Sequence, residues 1–468
     1  MNWQWLIMKQ RSFHERSVIQ ALFHLALPLF FLNLVNSLYN IVDTFWVGQL
    51  GELQVGAVSL VGPVLWCVQS LASGLSAAAV ALIGTRVGEQ KPQEASRFAT
   101  TLLYVAGLLG ISLSVITLLG TESILHWIAT PAELFDGSKF YLYGIAFDYI
   151  GLLILNVYMA ICQSEGNSRL GVRVNVMASI ANLLLDPLFI FVFHMDVFGA
   201  AIATVFSKWL VIPLIVYQLI HTEGDIHIQF HSFRFHKQDL KLILHVCIPA
   251  SGGQFLESLG FVLMNTYIVS YGAIAMSAYG VGNKIINLSG IPLESFTAAA
   301  STIVAHGLGS NQTERCKECF RKTWFLAEAF TVSLGFIAIL FARSLIYLFV
   351  PDAGNELVAF AQEFVVYAAI SGVFMCWYTV LCGIFNGAGH TKYTFILGLL
   401  RLWIFRIPLI LIFQQYSDWG ITGIWIAMIL SNIMECIVAQ WLYFHGSWLN
   451  STILSAQENI ADKQKILQ

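Results

Sequence analysis

The chain repeats itself. Leu27–Pro28, Val47, Leu50–Gly51 and Ala57 precede an apolar stretch that closes on Gly84–Thr85–Arg86–Val87–Gly88. Ile248–Pro249, Val269, Tyr271–Gly272 and Ala278 precede another, closing on Ala305–His306–Gly307–Leu308–Gly309. The offset is 221 residues at the proline (249 − 28), at the loop glycine (272 − 51) and at the last glycine (309 − 88). A weaker echo pairs Gly166 with Gly389 at 223 and Pro187 with Pro408 at 221. A register held through two apolar stretches and both loops marks a duplication.

Both halves are built for lipid. Of 468 residues, 57% are hydrophobic and 11% charged, with a mean hydropathy of +0.72, where a soluble domain carries about 25% charge. Stretches able to cross a hydrocarbon core of ~30 Å are read at 18–46, 55–84, 98–120, 138–163, 172–195, 197–220, 241–271, 276–306, 323–350, 358–385, 393–414 and 420–445. The expected fold is therefore an all-α polytopic membrane protein, with twelve transmembrane helices in two six-helix lobes related by the repeat. The N-lobe spans 18–220 and the C-lobe 241–446, joined by a polar linker at 221–240 and flanked by tails at 1–17 and 447–468. A duplicated chain this apolar points to a transporter with two bundles around a central cavity. The first tail is polar and basic and leads into a full-length span, so no cleavable signal peptide is expected. The net charge of −3 comes with no basic groove, and nucleic acid is not an expected partner.

Basic residues orient the spans. Arg16, Arg86, Lys91, Arg97, Arg169, Arg173, Lys237, Arg315, Arg321, Lys392 and others fall on one side of a twelve-span arrangement. The opposite side has Lys139 and Arg343 beside Glu52, Glu122, Glu133, Asp136, Asp196, Asp352 and Asp418. By the positive-inside rule both termini and the linker are cytoplasmic. Six spans per half give the two halves one orientation, related by an axis along the membrane normal.

Charges at bilayer depth are costly and default to functional candidates. They are Asp43, Asp148, Asp186, Lys208, Glu257, Lys284, Glu294, Glu328, Arg401, Arg406 and Glu435. Several lie near estimated span ends, where snorkelling accounts for them. Asp43 has unusual company: Asn33, Asn36, Asn40 and Asp43, spaced 3, 4 and 3, share one helix face. That stripe lines a polar interior or serves as interhelical hydrogen-bonding glue. Asn182 and Asp186 form an i, i+4 pair in the fifth span. Two carboxylates with amide and hydroxyl oxygens either share protons or give a small hard cation an oxygen shell. Pro408, the mate of Pro187, is preceded by Arg406–Ile407 and no carboxylate, so acidic groups concentrate in the first lobe; Glu257 stands 221 residues beyond Asn36. Lys208, four residues past Thr204, is the nearby cation able to form a plain salt bridge with the cluster. Pro28, fifteen residues before Asp43, is a candidate bend.

Other signals are weaker. Cys316-x-x-Cys319 is placed in a basic cytoplasmic loop with no second pair or ligand histidine, a poor zinc site. The aromatic residues read as membrane packing and interfacial belts. No Walker, GxSxG or HExxH motif occurs, so neither ATP-driven pumping nor hydrolysis is supported, and no enzyme activity is expected.

The segment 25–51 resembles the first span of the MATE (multidrug and toxic compound extrusion) family. So do the Gly84–Gly88 close, Gly199–Ala200–Ala201–Ile202–Ala203–Thr204, and Asn386–Gly387–Ala388–Gly389–His390–Thr391–Lys392. With Val42–Asp43–Thr44 and Asn182-x-x-x-Asp186–Pro187, the likeness is to the DinF-like prokaryotic branch. It implies a first-lobe cation site at Asp43, Asn182, Asp186 and Thr204, with Tyr141 a looser match and Pro28 the bend of span one. His390 departs from the family's usual aspartate. Another branch uses a span-seven glutamate with a span-ten aspartate; here Glu257 fits the first, but Met375 holds the second position, which argues against a second-lobe Na+ site.

The resemblance implies an antiporter in the inner (plasma) membrane. It exports lipophilic, often cationic organic compounds in exchange for H+ or Na+ bound at Asp43 and Asp186. Asn33, Asn36, Asn40, Tyr141 and Glu257 are further cavity or coupling candidates. No cofactor is expected, the partners are small organic substrates and membrane lipids, and the chain acts as a monomer. The rivals are a flippase for a lipid-linked substrate, which a basic cavity would favour, and a membrane enzyme, for which no constellation stands out.

Overall fold

A computed structural model describes residues 16–128, 130–221, 226–228, 236–351, 353–445 and 448–449. The expected tails, apart from residues 16–17 and 448–449, and most of the linker fall outside these. The first-half helices are α1 Val18–Gly48, α2 Glu52–Gly88, α3 Pro92–Trp127, α4 Ala132–Ile145, α5 Asp148–Ser164, α6 Ser168–Pro187 with a π-helical turn Leu188–Val192, and α7 Asp196–His221. The second-half helices are α8 Lys237–Val269, α9 Ala273–Gly309, α10 Thr313–Leu340, α11 Ala342–Phe349, α12 Asn355–Gly387, α13 Thr391–Leu399 with a π segment Leu400–Arg406, α14 Ile407–Tyr416 and α15 Thr422–His445. No strand occurs among the described residues.

The duplication is written into the backbone. α2 and α9 are both 37 residues long, and their limits differ by 221 at each end. The loop glycines Gly51 and Gly272 have φ of 119° and 106°, and Gly166 and Gly389 have 76° and 78°. Gln90 and Asn311, also 221 apart, carry φ of 60° and 57° although neither is glycine. Each position turns the chain out of a helix through a region that costs a residue with a Cβ about a kcal/mol or more. Matching strain at matching positions is inherited geometry.

Among the described residues, ten helical segments are long and apolar enough to cross a membrane, and α4 with α5 forms an eleventh bent by 47°. The twelfth is α9, the mate of α2, whose apolar pattern is interrupted by Lys284 and Glu294. Twelve spans in two repeated sets of six follow. Large apolar side chains point outward, with Trp127 87% and Leu119 84% exposed, as expected of helices whose outer surface meets lipid. Small residues set the internal contacts. A Cβ on Gly387 would lie 2.2 Å from the Ser301 carbonyl oxygen, and one on Gly110 2.7 Å from Ile150 Cα.

The fourth span differs from the unbroken helix read at 138–163. Its mate α12 runs 33 residues without interruption, whereas the first-half span breaks at Ala146–Phe147. The freed carbonyls are taken by side chains: Ser114 Oγ donates to Ala146 O at 2.7 Å and Trp209 Nε1 to Phe147 O at 3.2 Å. Backbone polar groups released inside a membrane must find such partners. The break starts α5 at Asp148.

The ninth span also differs: the helix begins at Thr313, ten residues before the expected start, and its last part separates as α11. Cys316 and Cys319 therefore lie on a helix and not in a loop. Both are buried, their thiols directed at the Val304 and Ala300 carbonyls of α9.

The chain forms two compact units. One holds Leu27–Ser251, and the other holds Arg16–Ala26 with the chain from Gly252 onward. The changes of unit fall within α1, next to Pro28, and within α8, two residues after Pro249.

Candidate functional site

In the first unit, the apolar sequence of α6 and α7 buries one polar seam. Asn182 and Asp186 are one turn apart on α6 and face α7, with 2% and 0% exposure. Asn182 Nδ2 donates to Asp186 Oδ1 at 3.2 Å and lies 3.4 Å from Thr204 Oγ1. The Thr204 hydroxyl also donates to the Ala200 carbonyl at 3.1 Å. Two acceptors are left over: Asp186 Oδ2 and Asn182 Oδ1 are buried without a hydrogen-bond partner among the described residues. Burying a polar atom unpaired costs about 1–3 kcal/mol, more if it is charged. An amide oxygen, a hydroxyl and a carboxylate in one place suit a proton or a small hard cation.

Asp43 on α1 is half-buried and within electrostatic reach of Asp186. Tyr141 on α4 is buried and interacts electrostatically with Asp43, Asp148 and Asp186. Asp43, Tyr141, Asn182, Asp186 and Thr204 are thus gathered in one unit. Asn36 accepts from Ser179 of α6 at 3.3 Å, which ties the stripe to the same helix as Asp186. Asn33 is half-buried, while Asn40 is exposed. Pro28 lies inside a continuous α1.

Tyr39 escaped the sequence reading. It is within hydrogen-bonding reach of Thr204 and electrostatic reach of Asp43, Asp186 and Tyr141. One turn before Asp43, it had the same periodic signal as Asn40 and Asn36.

Lys208 does not serve Asp186. Its ammonium meets Asp148 Oδ2 at 2.6 Å, because the α4–α5 break presents Asp148 to α7; Asp43 is within its longer electrostatic reach. Asp43 and Asp186 are left without a cation in hydrogen-bonding contact among the described residues.

The second unit departs further from expectation. Arg401, Arg406 and Glu435 do not snorkel at span ends; they are 2%, 2% and 0% exposed. Glu257 pairs with Arg401, which also donates to the Tyr378 hydroxyl and reaches Glu435 Oε2 from Nε at 3.4 Å. Arg406 donates to Ser431 at 2.9 Å and Asn432 at 2.6 Å. A separate cavity of about 610 Å³ in the first unit is lined by Leu53, Glu133, Asp136, Phe140, Asp196 and neighbours. Among the described residues, no group of three His, Cys, Asp or Glu side chains is set to hold a metal ion.

Known proteins resemble this architecture from end to end. The probable multidrug resistance protein NorM of Thermotoga maritima is 25% identical over 449 residues, covering 94% of this chain and 95% of its own. The probable multidrug resistance protein YpnP of Bacillus subtilis is 24% identical over 448 residues, covering 94% and 98%. A solved structure described as the outward-facing conformation of a multidrug resistance MATE family transporter superposes with a TM-score of 0.88 at 22% identity, over 98% of this chain and 99% of that one. The MatE family model matches residues 28–188 and 249–412, two blocks whose starts are the repeat-related prolines. The chain is a multi-pass membrane protein and belongs to the MatE family of transporters.

Proposed function

We propose that the chain is a secondary active multidrug efflux antiporter, exporting lipophilic and cationic organic compounds in exchange for protons or Na+. The observation that carries this reading is the buried first-unit pair. Among the described residues, Asp186 Oδ2 and Asn182 Oδ1 have no hydrogen-bond partner, and the nearby cation Lys208 is held by Asp148. Two carboxylates in a low dielectric need compensating positive charge, and a proton or Na+ at Asp43, Asn182, Asp186 and Thr204 would provide it.

The coupling logic is thermodynamic. The ion and the substrate must favour different states of the transporter, and each then weakens the other's binding by the same factor. Asp43 sits on α1, which also carries Pro28, so neutralising the pair changes the forces on that helix. Tyr39 and Tyr141 lie within electrostatic reach of both carboxylates. One charge crossing 100 mV supplies about 2.3 kcal/mol, enough for a gradient of roughly 40-fold at 1.4 kcal/mol per decade. The protein works as a monomer in the inner (plasma) membrane, with both termini cytoplasmic. The names of the relatives support multidrug substrates.

A drug-accumulation assay with an imposed proton or Na+ gradient tests the reading. Energised cells should keep ethidium out, and collapsing one gradient should abolish this. Indifference to both gradients would overturn the antiport mechanism, and transport confined to lipid-linked substrates would favour a flippase.

A further inference from the structure

The cavity of about 610 Å³ in the first unit lies at the end facing away from the basic loops, between the start of α2, the start of α4 and the turn into α7. Its walls are mostly apolar, with Leu53, Leu134, Phe140 and Phe198 among them, and its charged groups are Glu133, Asp136 and Asp196. Along α4, Glu133, Asp136, Gly137 and Phe140 are spaced 3, 1 and 3, so one helix face serves the cavity. The three carboxylates are exposed, and among the described residues none is in an ion pair; Lys139, within electrostatic reach of Asp136, is paired with Glu122. The positive-inside rule accounts for the scarcity of Lys and Arg at this end, but it is not a net-charge rule and gives the acids no reason to be there. The walls are preformed. Ser138 Oγ donates to the Ala57 carbonyl at 3.2 Å, and a Cβ on Gly137 would lie 3.1 Å from that of Ala57, so α4 sits close on α2. The Met195 N–H donates to the Phe189 carbonyl at 3.1 Å, which pins the turn before α7.

We propose that this cavity is an outer-face binding site for lipophilic organic cations, occupied by the exported compound as it leaves. The proposal deepens the efflux reading and rests on it for the direction of travel. The volume falls in the range of roughly 300–1,000 Å³ that small-molecule sites occupy. Apolar walls take an aromatic or hydrocarbon body, and three unpaired carboxylates supply the complement to a positive charge. A bare Na+ has no use for the walls, a neutral compound gains nothing from the carboxylates, and an anion is repelled by them. Exposed charges attract a cation over a distance but hold it loosely, because water and salt screen them. Loose holding suits a place from which the compound must depart. The cavity is also distinct from the ion site: α4 and α7 line it and carry Tyr141 and Thr204 as well, but none of Asp43, Tyr141, Asn182, Asp186 or Thr204 is part of the lining.

The test is ligand protection of a cysteine placed in the lining. Gln54→Cys is made in a cysteine-depleted full-length protein, purified in lipid nanodiscs, and its rate of reaction with a hydrophilic maleimide is measured. Tetraphenylphosphonium should slow the labelling, and the neutral triphenylphosphine oxide at the same concentration should not. Glu314→Cys, at the start of α10, should react at the same rate with and without either compound. Adding Glu133→Gln, Asp136→Asn and Asp196→Asn to the reporter should raise the phosphonium concentration for half-protection at least about tenfold, the lower end of what a charged cleft contributes, and added salt should weaken protection in the parent. Should the triple variant not fold, Asp136→Asn and Phe140→Ser are made singly, and each should weaken protection. Absence of protection, equal protection by the neutral compound, or half-protection unmoved by loss of the carboxylates overturns the proposal. The measurement uses no gradient and no transport. A failed efflux assay would therefore sink the antiport reading and leave the binding site standing, while absent protection would remove this site and leave efflux untouched.

Discussion

Asn182 and Asp186 are bound to each other one helical turn apart, and each keeps a buried oxygen without a hydrogen-bond partner among the described residues. Asp148 also keeps one buried oxygen, Oδ1, without a hydrogen bond, but its Oδ2 meets the Lys208 ammonium at 2.6 Å. The difference between the two aspartates is therefore a counter-charge in contact, which Asp148 has and Asp186 lacks among the described residues.

Asp43→Asn is expected to reduce drug efflux at least tenfold while leaving membrane abundance near normal. The amide keeps the size and some hydrogen bonding but removes the charge that an ion would neutralise. Ethidium accumulation at matched expression checks this, and undiminished efflux would remove Asp43 from the coupling site.

Lys208→Met should destabilise the protein by about 3–5 kcal/mol, because it strands the Asp148 carboxylate in a buried place. Lys208→Met with Asp148→Leu should recover much of that loss. Thermal unfolding of the purified variants reads both. The Lys208→Met change should not rescue Asp186→Asn; rescue would mean that Lys208 serves Asp186 after all.

The fold was largely legible because duplication imposes the same turns twice. The 221-residue offset of Pro28 and Pro249 reappears as the shared φ of Gly51 and Gly272. The break at Ala146–Phe147 was not legible: its mate in α12 is continuous, and the partners that stabilise it, Ser114 and Trp209, lie on other helices. Asp43, Asn182 and Asp186 stood out through i, i+3 and i, i+4 spacing, a local signal. Glu257, Arg401 and Glu435 come from three distant segments, so no window of sequence could show that they meet.

Gly387→Ala should lower expression and melting temperature, since the added Cβ would meet the Ser301 backbone at 2.2 Å, and packed interiors do not yield cheaply to overpacking. Gly107→Ala is the control. Nothing lies within 4 Å of its Cβ position in α3, and a helical alanine should stabilise by roughly 0.5–1 kcal/mol. Equal effects at the two sites would contradict the packing described.

Topology can be checked in intact cells on a cysteine-depleted background. A membrane-impermeant maleimide should label Glu133→Cys, at the start of α4, and spare Glu314→Cys, at the start of α10. Both residues are exposed, so accessibility reports the side of the membrane. Labelling of Glu314→Cys from outside would invert the orientation drawn from the basic loops.

Asp43 and Asp186 should behave as one site. They are within electrostatic reach of each other, both lie near Tyr39 and Tyr141, and neither has a cation of its own in contact among the described residues. Their protons or their bound cation then belong to the pair. Once either carboxylate is neutralised, the site has lost its function and the second change has little left to remove. Asp43→Asn with Asp186→Asn should therefore transport about as poorly as the worse single variant, within roughly twofold. Residues acting separately would instead multiply their losses. Initial rates of ethidium efflux for the four proteins, normalised to membrane abundance, separate the two outcomes, and multiplying losses would dissolve the shared site.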